Sequence, residues 1–246
     1  MKTIAIYNNK GGVGKTATAV NLAYISSLEG YKTLIWDLDS QAAATFYFRL
    51  HAKIKGGAKK LLHGKRDLDE NIKGTDYPLL DILPADDSMR HQDVLLDGSE
   101  KPHKRLHKLL KPFDADYDFV FIDCAPSMSL TSESVFHVAD MLLIPTIPTT
   151  LSMRTLDKLH DFFKAQKLPR KKLFSFFSMV DVRRQMHKQM IEHPPAGFAF
   201  ASTHIAYMSE IEKMGLEQQP ACLAAKSKAR ASYQALWNEL QLRLAL

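Results

Sequence analysis

Six short apolar runs punctuate the chain: TIAIY at 3–7, TLIWD at 33–37, LLDILP at 79–84, DFVFIDC at 118–124, MLLIPT at 141–146 and LFSFFSMV at 173–180. Within each run the hydrophobic residues are nearly continuous. A strand with one wetted face would alternate with polar residues, so these runs predict strands buried on both faces. The stretches between them are mostly long enough for a helix. Runs of this kind alternating with helical segments predict an α/β fold, a doubly wound and mostly parallel central sheet flanked by helices. Ligands of such sheets bind along the edge formed by the strand C-termini, so the residues after each run are the candidates for chemistry.

After the first run comes NNKGGVGKTATAVNLAY, residues 8–24. Gly11, Gly12 and Gly14 allow the backbone to turn tightly enough for consecutive N–H groups to converge. The helix that follows adds the positive end of its dipole at the same point. Lys10, Gly11, Gly12, Val13, Gly14, Lys15, Thr16 and Ala17 therefore form a candidate phosphate cradle, with Lys15 reaching the β- and γ-phosphates and Thr16 offering a hydroxyl to Mg2+. ATP with Mg2+ is the expected ligand. Asn9 stands where the general motif has glycine, and asparagine tolerates the left-handed backbone better than most residues.

After the second run comes DLDSQAAAT, and the fourth ends in Asp123. Asp123 is placed like the carboxylate that orients water on a nucleotide-bound magnesium. Asp37 and Asp39, two apart in an extended segment, point to one side, beside the expected γ-phosphate. Thr16, Asp37 and Asp123 are the expected metal group.

Length and composition narrow the class without choosing the function. The 246 residues, 46% hydrophobic, fit one α/β domain spanning 1–246. No apolar run approaches the length of a membrane span and no leader pattern opens the chain, which predicts a cytoplasmic protein without stable membrane insertion. The only cysteines, Cys124 and Cys222, have no zinc-type spacing. The net charge of +6 is uneven: residues 151–246 hold 15 Lys+Arg against 8 Asp+Glu, residues 1–150 hold 18 against 19. That asymmetry fits either a polyanionic partner or a solvated basic face.

The stretch Lys10–Gly11–Gly12–Val13–Gly14–Lys15–Thr16 resembles the deviant Walker A loop of the ParA/MinD ATPases, closest to the ParA/Soj-like positioning ATPases. The resemblance extends through most of the chain: DLDSQ resembles the family's DxDPQ switch, and LLIPTIPTTLSMRTL, FSMVDVRRQMHK and the segment from Ser209 to Leu240 resemble later family segments. Residues 50–78 match least. It implies a P-loop NTPase in which Lys10 contacts phosphates across an ATP-sandwich homodimer, Lys15 acts in catalysis and Asp39 positions the attacking water. It further implies slow hydrolysis stimulated by a ParB-like or other small partner protein, and non-specific DNA binding through basic residues of the C-terminal part. Candidates are Arg183, Arg184, Lys188, Lys226, Lys228 and Arg230, which would make the protein nucleoid-associated. Phosphate contacts alone give salt-sensitive binding without sequence preference. No segment before the first strand suits a helix-turn-helix, so operator binding is not expected. Cargo positioning of a plasmid, chromosome origin or protein assembly such as a carboxysome is the implied work.

Departures from the family pattern are Ala17 for a second threonine, Ser40 for the switch proline, and Ala42-Ala43-Ala44 for Gly-Asn-Ala. Other readings remain: a MinD-like membrane-associated regulator, a metabolic P-loop enzyme or an iron–sulfur carrier. Tyr233, Leu236, Trp237, Leu240 and Leu244 share a helical stripe that suits either a membrane surface or the sheet, and the sheet is preferred. The i, i+4 pair His103 and His107 reads as a solvated basic helix face, and Cys124 as a buried structural thiol.

Overall fold

A computed structural model describes residues 1–62, 68–97 and 102–245. Each of the six apolar runs contains a parallel strand: β1 Lys2–Ile6, β2 Thr33–Asp37, β4 Leu80–Leu83, β5 Phe119–Asp123, β6 Met141–Thr146 and β7 Leu173–Phe177. A two-residue strand, β3 Lys73–Gly74, adds antiparallel to β4 at one edge. The order is β3-β4-β2-β5-β1-β6-β7. β1 thus lies inside the sheet, between β5 and β6, and the glycine-rich turn leaves its C-terminal end where the crossovers change side.

The helices are α1 Lys15–Leu28, α2 Ala43–Tyr47, α3 Gly57–Leu61, α4 Gln92–Asp97, α5 Pro102–Leu110, α6 Leu130–Val138, α7 Thr150–Ala165, α8 Gln185–Glu192, α9 Ser209–Glu212, α10 Met214–Glu217 and α11 Lys228–Arg243. They cover the sheet in two layers, as the strand pattern requires. Successive β5 residues alternate between layers: Val120 and Ile122 pack with α5, α6 and α7, whereas Phe119 and Phe121 pack with α1 and α11. α1 is buried along nearly its whole length, which explains its small residues.

The apolar stripe of α11 is part of this second layer. Tyr233, Leu236, Trp237 and Leu240 are fully buried, and Leu244 packs against the same core. Glu29, just beyond α1, accepts hydrogen bonds from Gln234 Nε2, Trp237 Nε1 (2.8 Å) and Gln241 Nε2. The sheet-covering expectation for this stripe therefore holds. Among the described residues no helix is long and apolar enough to cross a membrane.

Candidate functional site: a glycine cradle beside two buried carboxylates

The chain leaves β1 through Tyr7 and Asn8, and Asn8 anchors the start of the glycine-rich turn. Its Nδ2 donates to the Pro145 carbonyl at the end of β6 (2.9 Å), and its Oδ1 accepts the Lys10 N–H (2.9 Å). Gly12 (φ 69°) and Gly14 (φ 87°) then take left-handed conformations that suit glycine. A Cβ on Gly14 would also lie 3.1 Å from Ser178 Oγ. α1 starts at Lys15 with Gly14 as its N-cap, no side chain capping its N–H groups and no acidic residue in its first turn. Those N–H groups thus remain free to face an anion.

Lys15 is buried, and its ammonium donates to the Lys10 carbonyl (3.2 Å), folded back along the loop. Burial holds its pKa below the ordinary lysine value, while Asp123, Cys124 and Asp39 act in the opposite direction. Lys10 is half-exposed at the rim, and its ammonium has no partner among the described residues. Gly11 and Gly12 are exposed, Val13 is buried beneath the loop, and Ala17 faces a neighbouring apolar cleft.

β2 and β5 end side by side, so Asp37 pairs in register with Asp123. Both carboxylates are fully buried. Neither oxygen of Asp123 has a hydrogen bond of proper geometry. The Thr16 hydroxyl is near enough to favour its charged form, yet burial and the adjacent Asp37 raise its pKa well above the usual carboxylate range. A buried, unpartnered carboxylate beside a second one is costly unless a cation joins them. Thr16 and Asp123 accordingly fit a magnesium site. No three His, Cys, Asp or Glu converge as a metal cluster among the described residues, which suits an ion held by few protein groups and by phosphates.

Asp37, also expected in the metal group, is tied into the structure by three accepted hydrogen bonds. Its Oδ1 accepts the Asp39 N–H (3.1 Å), and its Oδ2 accepts both the Thr45 N–H (3.0 Å) and the Thr45 hydroxyl (2.8 Å). These bonds fasten the switch segment to the sheet and leave Oδ1 with further acceptor capacity. Asp39 is half-exposed; its Oδ1 accepts the Gln41 N–H (3.0 Å), which orients the carboxylate at the sheet edge. Ala42, where the resembled family has glycine, holds a left-handed conformation (φ 51°) at the start of α2.

The apolar cleft beside the cradle encloses about 180 Å³ and is walled by Gly12, Gly14, Ala17, Met179, Ile205 and Ile211, with Tyr207 and Glu212 among its polar members. Its position beyond the phosphate cradle suits a nucleobase and ribose. Residues 205–208 escaped sequence reasoning because they lie in an irregular segment, joined to the end of β7 by a bridge between Val180 and Ala206.

The basic residues are less uniform than expected. Arg183 is bound through Nε and Nη2 to the Asp181 carboxylate (2.8 and 3.0 Å), and Arg184 lies 3.6 Å from it. These bonds hold the Asp181 pKa down to about 2. Asp181 thus pairs with both arginines, but one carboxylate leaves the exposed pair with a net positive charge. Arg230 is half-buried beside Cys222 and Tyr24, whereas Lys188, Lys226 and Lys228 are exposed. Cys124 and Cys222 are both buried thiols.

A family model described as an AAA domain matches residues 1–175. The chromosome partitioning protein ParA of Myxococcus xanthus is 30% identical over 253 residues, covering 98% of this chain and 88% of the relative. The chain belongs to the ParA/Soj family of partitioning ATPases. The sporulation initiation inhibitor Soj of Bacillus subtilis is 30% identical over 199 residues, 78% of each chain. Among solved structures, a putative plasmid partition protein of Borrelia burgdorferi bound to AMPPNP superposes with a TM-score of 0.82 at 24% identity, covering 98% of both chains. Apo McdA of Cyanothece superposes with a TM-score of 0.80 at 20% identity, covering 98% of this chain and 99% of the other. These structural likenesses show the fold. Within this ParA-family chain, the glycine cradle, Thr16 and Asp123 occupy one edge of the sheet, at the strand C-termini.

Proposed function

We propose that this ParA-family chain, as one domain over 1–246, binds Mg-ATP in the cradle and pairs through Lys10 into an ATP-sandwich homodimer. The observation that carries the reading is the orphaned Asp123 carboxylate, buried beside Asp37 and facing a loop whose helix N-terminus is uncapped. Bound magnesium would neutralise charge on the transferring phosphoryl group. Lys15 would leave the Lys10 carbonyl for the phosphates, and Asp39 would hold the attacking water and accept its proton. Lys10, unpartnered at the rim, is free to reach phosphates of a second subunit.

The dimer would hold DNA without sequence preference and release it after hydrolysis stimulated by a ParB-like or other small activating partner. Lys188, Lys226 and Lys228 are the exposed contacts we favour; Arg183 and Arg184 would first have to leave Asp181. Doubling such contacts on dimerisation makes DNA retention depend on nucleotide. The consequence is nucleoid association and the positioning or segregation of cargo, whether a plasmid, chromosome origin or protein assembly. Sedimentation of wild type and Lys10→Ala with ATP, ADP or no nucleotide tests the central step. An ATP-specific dimer lost in Lys10→Ala is expected; a dimer that forms equally without nucleotide contradicts the reading.

A further inference from the structure

At the end of the molecule carrying the strand N-termini, away from the cradle, a cleft of about 380 Å³ opens between α5 and the C-terminal end of α6. His103, Lys104, His107 and Lys108 of α5 line it, with His137 and Val138 of α6. The helical repeat explains the grouping: Leu106, Leu109 and Leu110 face the core, which turns the basic positions outward one turn apart. None of the five basic side chains has a carboxylate partner among the described residues.

Two details decide what such a cleft suits. The His103 and His137 rings stack, centroids 4.6 Å apart and planes 26° from parallel. Stacked rings present faces to each other rather than converging nitrogens, and no three-ligand metal group exists here among the described residues. A helix C-terminus would ordinarily repel an anion through its carbonyls. Here Lys172 Nζ donates to the Phe136 and His137 carbonyls (3.4 and 3.0 Å), placing a cation where that negative end would be.

We propose that this cleft binds a phosphate group and does so more tightly as the pH falls. Lys104 and Lys108 supply two exposed cations, and the His137 imidazole adds a further charge when it binds a proton. Partial desolvation, His103 and Lys172 hold the His137 imidazolium below its ordinary range, so an anion placed between these groups favours its proton. Binding then takes up a proton at His137, and that coupling strengthens it by up to about tenfold per pH unit. Lys111 lies just beyond α5 and lines the adjoining cavity. Asp114 and Asp140 line the adjoining cavity with His107, and Asp140 already accepts the Thr3 N–H (2.8 Å), so the anion belongs at the α5–α6 mouth.

The phosphate has two sources, free phosphate or the phosphodiester of a nucleic acid. Lys104 and Lys108 lie about 6 Å apart along the α5 axis, and a duplex offers a charge about every 1.7 Å. Imidazole proton–nitrogen NMR of the full chain near pH 6 and near pH 8, titrated with inorganic phosphate and separately with a random-sequence duplex, tests the site. The readout is local, so occupancy of the glycine cradle does not enter it. Shifts of His103 and His137 are expected near pH 6, with affinity at least about fivefold weaker near pH 8 once the inorganic phosphate arm is expressed per dianion, because that ligand itself ionises between these pH values. Lys104→Gln/Lys108→Gln, both exposed positions, should abolish binding; His137→Gln should retain weaker binding with a flatter pH dependence. Shifts with both ligands support a general phosphate site, and shifts with the duplex alone assign the phosphodiester. Absence of shifts with either ligand near pH 6, or equal affinity at both pH values on that scale, overturns the proposal.

Discussion

Replacing Asp37 by Asn should change how stability depends on pH in the absence of nucleotide and magnesium. Burial raises the Asp37 pKa from 3.8 to about 6, with Asp39 adding to it, despite opposing hydrogen bonds from Thr45 and the Asp39 N–H. A folded-state pKa above the unfolded one means that the native state holds the proton between those values. The associated stability is complete below about pH 4 and is lost as the pH rises through about 6. Each pH unit inside the window is worth about 1.4 kcal/mol, so wild type gains roughly that amount between about pH 7 and pH 5. For a chain of this size the gain corresponds to about 3–6 °C in Tm. His137, His160 and His187, whose pKa values lie below the ordinary range chiefly through desolvation, act with the opposite sign. The readout is therefore the difference in pH slope between wild type and Asp37→Asn, followed by thermal melts in far-ultraviolet circular dichroism. Magnesium and ATP should shrink the difference, since the cation favours charged carboxylates. Identical slopes in the two proteins would show that Asp37 is already ionised in the free site and would refute a protonated, buried carboxylate there.

Gly14→Ala should lose ATP binding and about 1 kcal/mol or more of stability, because alanine at this positive φ is strained and its Cβ meets Ser178 Oγ; calorimetric titration with ATP and thermal melts read both. Ala42→Gly should raise stability by up to about 1 kcal/mol in urea unfolding, since glycine removes the left-handed strain now present there.

The strands were legible because each is buried on both faces and so reads as an unbroken apolar run. β3 was not: its two residues, Lys73 and Gly74, are exposed and carry no hydrophobic signal. The cradle was legible because glycine, lysine and threonine at fixed spacing serve one local turn. Asn8 went unnoticed, since its partner Pro145 lies 137 positions away. The same limit applies to charge. Sequence places Arg183 and Asp181 two residues apart but does not reveal whether the guanidinium faces solvent or closes on the carboxylate, and here it closes. The sequence places Asp37 at a strand end beside Asp39, whereas its bonds to Thr45 depend on where α2 turns back over β2.

The most direct test of the proposed cycle is binding to a random-sequence duplex with ATP, ADP or no nucleotide, across a salt series, for wild type and Lys10→Ala. Tight, salt-sensitive binding only with ATP, lost in Lys10→Ala, is the expected result. Absence of DNA binding in every nucleotide state, or binding indifferent to nucleotide and to Lys10, would contradict a nucleotide-switched DNA tether.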